Sequence, residues 1–150
     1  MLVYRIVKTI YATDLSGMGA AMYGGRWNKK GNPVIYTGES KEIALLETLV
    51  HLPATFIPDL SIVSIKIPSN SILEIKAKEL PANWFDYPSP TILSEIGQQW
   101  INENKTVALK VPSCIIHSAN NYILNCNHPD FKKVKITEVK KFYFDTRLKR

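Results

Sequence analysis

The chain has 150 residues, of which 45% are hydrophobic and 21% charged, and 19 Lys and Arg against 13 Asp and Glu give a net charge of +6. That length suits one domain over residues 1–150 with a core of its own, and no apolar run approaches the ~20 residues that cross a bilayer. Arg5 and Lys8 interrupt the apolar start MLVYRIVKTIYA, so it lacks the core of a secretion signal and a cytoplasmic protein is expected.

Residues 2–7 read as a first strand. The segment SGMGAAMYGG (16–25) supplies Gly17 and Gly19 but has Met22 where a dinucleotide fingerprint needs its third glycine. A Rossmann site is therefore excluded, and a turned loop open to close backbone approach is expected. Residues 25–28 and 34–37 are expected to be two strands joined by a turn at 29–33, with Arg26 and Asn28 on one face and Trp27 in the core. Arg26 then faces either a cleft or solvent. Tyr36 shares a strand face with Val34.

Ser40 is placed to cap a helix over 41–52 that carries Glu42 in its first turn. Ile43, Leu46, Glu47 and Val50 recur at helical spacing, which puts Glu47 in the apolar stripe. An ionised carboxylate in such a place costs several kcal/mol unless it is paired. Glu47 therefore needs partners, either as a structural ion pair or as a functional acid, and His51 lies one turn further on the same side. The stretch from Gly24 to His51 thus points to Arg26, Tyr36 and Glu47 converging on one small anionic ligand, with the rest of the chain completing the pocket.

Strands are expected at 60–67, 71–75, 106–111 and 120–125, and a covering helix at 91–103 with Ile92, Ile96 and Trp100 on one side. The loop 84–90 either packs or acts as a lid. Ser113, at the end of a strand, reads as a turn-forming hydroxyl. Asn121, Ile123 and Asn125 share one side of the last of these strands. Cys114 with His117 and Cys126 with His128 offer four zinc-compatible side chains, but neither spacing is that of a standard finger, so reduced core thiols and no metal are expected. Lys132, Lys133, Lys135, Lys140, Lys141, Arg147, Lys149 and Arg150 crowd the C-terminal end between aromatics. They read as the solvated side of a half-buried terminal strand, in preference to a nucleic-acid surface.

In this order and spacing GGRWN, VIYTGES, ALLE, VPS, NYILN, HPDF and the closing FDTRL resemble the RES domain, the toxin of RES–Xre toxin–antitoxin pairs, a family similar in fold to ADP-ribosyltransferases. The resemblance implies an α+β fold, with an ADP-ribosyltransferase-like core of two small packed β-sheets and flanking helices. It implies Arg26, Glu47 and Ser113 as the residues that name the family, Tyr36 as the active-site tyrosine, and Asn121 as a secondary substrate contact. It further implies degradation of NAD, as substrate rather than cofactor, by hydrolysis or phosphorolysis, with transfer of ADP-ribose to a protein in some relatives. An Xre-type antitoxin is the implied partner, and a homo-oligomer is compatible with it. The chemistry agrees: cleaving the nicotinamide–ribose bond passes through an oxocarbenium-like state that one carboxylate can steady. Nicotinamide leaves as a neutral molecule and needs no general acid. Two other classes compete, an RNA-binding or RNA-cleaving toxin using the basic C-terminal end and a non-catalytic interaction protein.

Overall fold

Period-two alternation builds seven strands among the residues that the computed structural model describes, which are 1–53, 55 and 58–148. They are β1 (Leu2–Lys8), β2 (Val34–Gly38), β3 (Leu60–Lys66), β4 (Ile72–Glu74), β5 (Ala108–Pro112), β6 (Asn120–Asn125) and β7 (Lys135–Phe142). Three helices accompany them, α1 (Met18–Tyr23), α2 (Lys41–Leu49) and α3 (Thr91–Glu103). The strand order is β4-β5-β6-β2-β1-β3-β7; β4 and β5 are parallel and the other neighbours antiparallel. The α+β class holds. The sheet consists of two ladders, β4-β5-β6-β2 and β1-β3-β7, joined edge to edge at the single pair Tyr4 and Gly38.

One face of the sheet carries Val3, Ile35, Val63, Ile65, Tyr122 and Leu124, all buried. On the other face the cover is divided. The β5-β6-β2 ladder presents Leu109, Val111, Ile123 and Val34 to α3 and to Trp27 and Trp84, while β1 and β3 present Ile6 and Leu60 to Ala44 of α2. Two apolar patches on one sheet face leave a gap between them, and that gap becomes the site.

Three local expectations change. Within residues 16–25, Met18–Tyr23 form α1 rather than a loop: Ala20, Ala21 and two methionines are good helix formers, and Gly17 and Gly24 supply the positive-φ backbone at its two ends (φ 71° and 70°). Residues 25–28 do not form a strand, because their polar groups close on themselves: Gly25 N donates to the Asn28 carbonyl (2.9 Å) and Asn28 Nδ2 to the Ala20 carbonyl (2.9 Å). α2 stops at Leu49, three residues short of expectation, ahead of Pro53, since the residue before a proline avoids helical backbone.

α3 runs over 91–103 as expected, but its buried side is Leu93, Gly97 and Trp100, and Ile92 is exposed. The rotation follows from Gly97, where a Cβ would overlap the Trp27 carbonyl. The helix can lie directly on the backbone of the Arg26–Trp27 bend only because this residue has no side chain. At the far edge, β7 projects Lys135, Lys140 and Lys141 into solvent, the usual protection of an edge strand against pairing with another chain. Lys149 and Arg150 lie outside the described residues.

Gly97→Ala is expected to lower the unfolding free energy by about 1–3 kcal/mol, the usual cost of overpacking, as measured by urea denaturation. A neutral outcome would mean that the contact of α3 with the bend is not tight.

Candidate active site

Ser40 caps α2 as its sequence implies, its Oγ accepting from Ile43 N (3.1 Å). The side of α2 that packs on the sheet is set by Ile43 and Ala44 and by Thr48, whose hydroxyl donates to the Ile6 carbonyl (3.0 Å). The expected apolar stripe through Leu46, Glu47 and Val50 is therefore turned away from the core. Val50 is 62% exposed, and Glu47 is half-buried at the boundary. It sits where helix, sheet and solvent meet rather than beneath packed side chains.

Glu47 has the partners that its position demands. Its Oε1 accepts from Asn121 Nδ2 (2.9 Å) and from Ser113 Oγ (3.1 Å). Both bonds fall on one oxygen, and Oε2 has no hydrogen-bond partner among the described residues. Nor does Glu47 form an ion pair with another described residue, so the alternative of a buried structural pair is not realised. Ser113 is fully buried and accepts from the backbone N–H of Ile115 (3.1 Å) and Ile116 (3.2 Å). It is both the turn hydroxyl read from its place at a strand end and a holder of Glu47, and it acts on the carboxylate from behind. Asn121 reaches Glu47 because it stands opposite Gly38 on the paired strand β2, where no side chain intervenes.

Arg26 lies in the bend after α1. Its Nη1 donates to the Trp84 carbonyl (2.8 Å) and its Nη2 to the Asp86 carbonyl (3.0 Å), which ties the bend to the 84–90 loop. Within that loop Trp84 is buried and packs, with His117 stacked obliquely on Trp84 and Phe85, while Phe85 and Tyr87 are exposed. Tyr36 is divided in role. The residue as a whole is 36% exposed, whereas its hydroxyl donates to Asn28 Oδ1 (2.6 Å) and accepts from Trp27 N (3.0 Å). A Cβ on Gly25 would strike that hydroxyl, so only glycine lets the bend close over it.

Arg26, Tyr36, Glu47, His51, Cys114 and Asn121 all line one cleft of about 1020 Å³, at the upper end of the ~300–1,000 Å³ typical of small-molecule sites. A recess of about 160 Å³ adjoins it where the two ladders meet, lined by Tyr4, Gly38 and Ala44 and sharing Tyr36, Glu47, His51 and Asn121 with it. Arg26, Tyr36 and Glu47 thus line the same cleft, and Ser113 holds Glu47 from beneath it.

Asn28 was not singled out beforehand. It is buried and joins α1, the bend and Tyr36; an asparagine following Arg-Trp in a glycine-rich segment was the available signal. The four zinc-compatible side chains are dispersed. Cys114 is at the cleft, His117 on the aromatics, Cys126 beside Gly17, and His128 accepts from Asp130 N through Nδ1 (3.0 Å). Among the described residues no group of three or more His, Cys, Asp or Glu could hold a metal ion.

A family model described as the RES domain matches residues 2–145. The chain belongs to the RES domain family. "Toxin Res" of Yersinia enterocolitica is 36% identical over 152 residues, covering 99% of this chain and all of the relative. The "Prs ADP-ribosylating toxin" of a Sphingobium species is 35% identical, over 94% of this chain and 90% of that one. The fold is similar to that in the crystal structure of the M. tuberculosis MbcT–MbcA toxin–antitoxin complex (TM-score 0.78, 16% identity, 94% of this chain and 83% of that chain). The RES chain described here has no helix, among its described residues, long and apolar enough to cross a membrane.

Burial raises the Tyr36 hydroxyl to about 12 and the Cys126 thiol to about 12. Both groups lie above their ordinary values of 10.0 and 9.0, so the folded state keeps protons that the unfolded chain releases. Their contribution to stability is complete below about pH 9 and is lost as pH rises toward 12. Denaturation midpoints measured across that range are expected to fall, and less steeply in Tyr36→Phe; an unchanged slope in that variant would contradict the buried hydroxyl.

Proposed function

We propose that this chain is an NAD-degrading toxin of a toxin–antitoxin pair, which breaks the bond between nicotinamide and ribose. The observation that carries the reading is the Glu47 carboxylate, fixed through one oxygen by Ser113 and Asn121 and unpaired through the other, on the wall of a cleft that also presents a guanidinium and an aromatic ring.

In the step proposed, the C1′–N bond of the nicotinamide riboside breaks and its electron pair leaves with the ring nitrogen, giving neutral nicotinamide. Positive charge develops on C1′ and the ring oxygen of the ribose, and Glu47 stabilises it. Two donors held on Oε1 mean that the carboxylate need not reorganise as the charge forms. Arg26 binds the pyrophosphate by charge-assisted hydrogen bonds. Two of its N–H groups go to the loop carbonyls, and the remainder are available to the ligand. Tyr36 offers its ring face to nicotinamide, its hydroxyl being committed to the bend.

The nucleophile that then attacks C1′ is water, phosphate or a protein side chain, yielding ADP-ribose and a proton, ADP-ribose 1″-phosphate, or an ADP-ribosylated target. A relative named as an ADP-ribosylating toxin keeps the last outcome as the second reading. NAD labelled in its adenosine separates the two, since only transfer leaves label on a macromolecule. The partner proposed is an Xre-type antitoxin that covers the cleft mouth, and the basic surplus of the chain suits an acidic one.

Glu47→Gln is expected to slow nicotinamide release from NAD by about 10²–10³-fold, as for loss of one preorganised electrostatic group, with an unchanged circular-dichroism spectrum. A folded variant with the wild-type rate would remove Glu47 from the chemistry.

A further inference from the structure

One part of the cleft lining carries no charged side chain. There α1 contributes Gly19, Ala20 and Tyr23, and the loop contributes Phe85, Tyr87, Pro88 and Ser89. Tyr23 is 76% and Tyr87 87% exposed. Neither ring makes an aromatic contact with another described residue, in contrast to Phe85, which stacks on Trp84 and His117. Scattered exposed aromatics are ordinary, but these two border the same cleft. Their spacing from Arg26 is short: Tyr23 precedes it by three residues, and Tyr87 follows Asp86, whose carbonyl Arg26 holds. The guanidinium thus ties the loop that bears Tyr87 to the bend that follows α1. Gly19 on α1 leaves further open space in the cleft lining, for a Cβ there would meet nothing within 4 Å.

Tyr87 adjoins Asp86, whose carbonyl accepts from Arg26 (3.0 Å); Cys114 lines the same cleft as Arg26 and Glu47; and the neighbouring Ser113 bonds Glu47. The cleft thus combines a neutral aromatic part tied to the cation Arg26 with the acid Glu47. A phosphate has no cation to bind on the aromatic part, whereas a flat neutral base gains from stacking on aromatic side chains. An NAD molecule with its ribosyl cation at Glu47 and its pyrophosphate at Arg26 presents adenine to that part.

Building on the NAD reading, we infer that Tyr23 and Tyr87 form the purine-binding part of the cleft and give this chain its preference for a dinucleotide over a mononucleotide. Both side chains are exposed, so truncating them removes little packing.

The test compares nicotinamide release from NAD and from nicotinamide mononucleotide, which lacks the adenosine half. Wild type is expected to favour NAD in kcat/KM. Tyr23→Ala/Tyr87→Ala is expected to lose about tenfold or more of kcat/KM for NAD through KM, with that for the mononucleotide retained, and Tyr23→Phe/Tyr87→Phe to restore NAD. Equal loss on both substrates, no loss on either, or a wild-type chain that does not distinguish them would overturn the assignment. Release from neither substrate by wild type would instead refute the proposed function itself.

Discussion

A single carboxylate oxygen joins the helix α2 to the β5-β6 side of the sheet. Glu47 Oε1 takes one bond from Ser113, just past the end of β5, and one from Asn121 near the start of β6. Each donor is itself immobilised, Ser113 by the turn it closes and Asn121 by a ladder with β2 on one side and β5 on the other. The acid is thereby aimed across the gap between two apolar patches. Because both bonds use one oxygen, the other is left without a hydrogen-bond partner among the described residues.

The opposite wall is built by another economy. Asn28, Tyr36 and Trp27 exchange hydrogen bonds within a bend that forgoes strand pairing, and Arg26 extends the same network to the 84–90 loop. Two glycines permit it: Gly25 lets the bend close on the Tyr36 hydroxyl, and Gly97 lets α3 rest on the bend from outside. Packing of α3 is thus linked to the position of the guanidinium although α3 itself contributes no charge to the cleft.

The strands were legible because alternation reports burial directly, and α2 and α3 because their spacing is helical over enough residues. Where α2 ends and which way it faces were less so. Ala44 and Thr48, small residues with weak hydrophobic signal, join Ile43 on the packed side, while Val50, strongly apolar, is out in solvent. The bend at 25–28 read as a strand because side-chain competition for backbone groups leaves no periodic trace. Of the site, Glu47 was visible as an acid in apolar company, whereas Arg26 could be placed only by the resemblance of its surrounding motif. The double role of Ser113 and the part played by Asn28 depend on contacts between segments far apart in sequence, which spacing alone does not encode.

The central claim is that Glu47 steadies a ribosyl cation whose diphosphate rests on Arg26. A crystal structure of the Glu47→Gln variant with NAD bound tests it most directly. The expected result has C1′ of the nicotinamide ribose in van der Waals contact with residue 47 and a pyrophosphate oxygen hydrogen-bonded to Arg26. NAD bound with its nicotinamide ribose away from residue 47, or with Arg26 making no contact to phosphate, would contradict it.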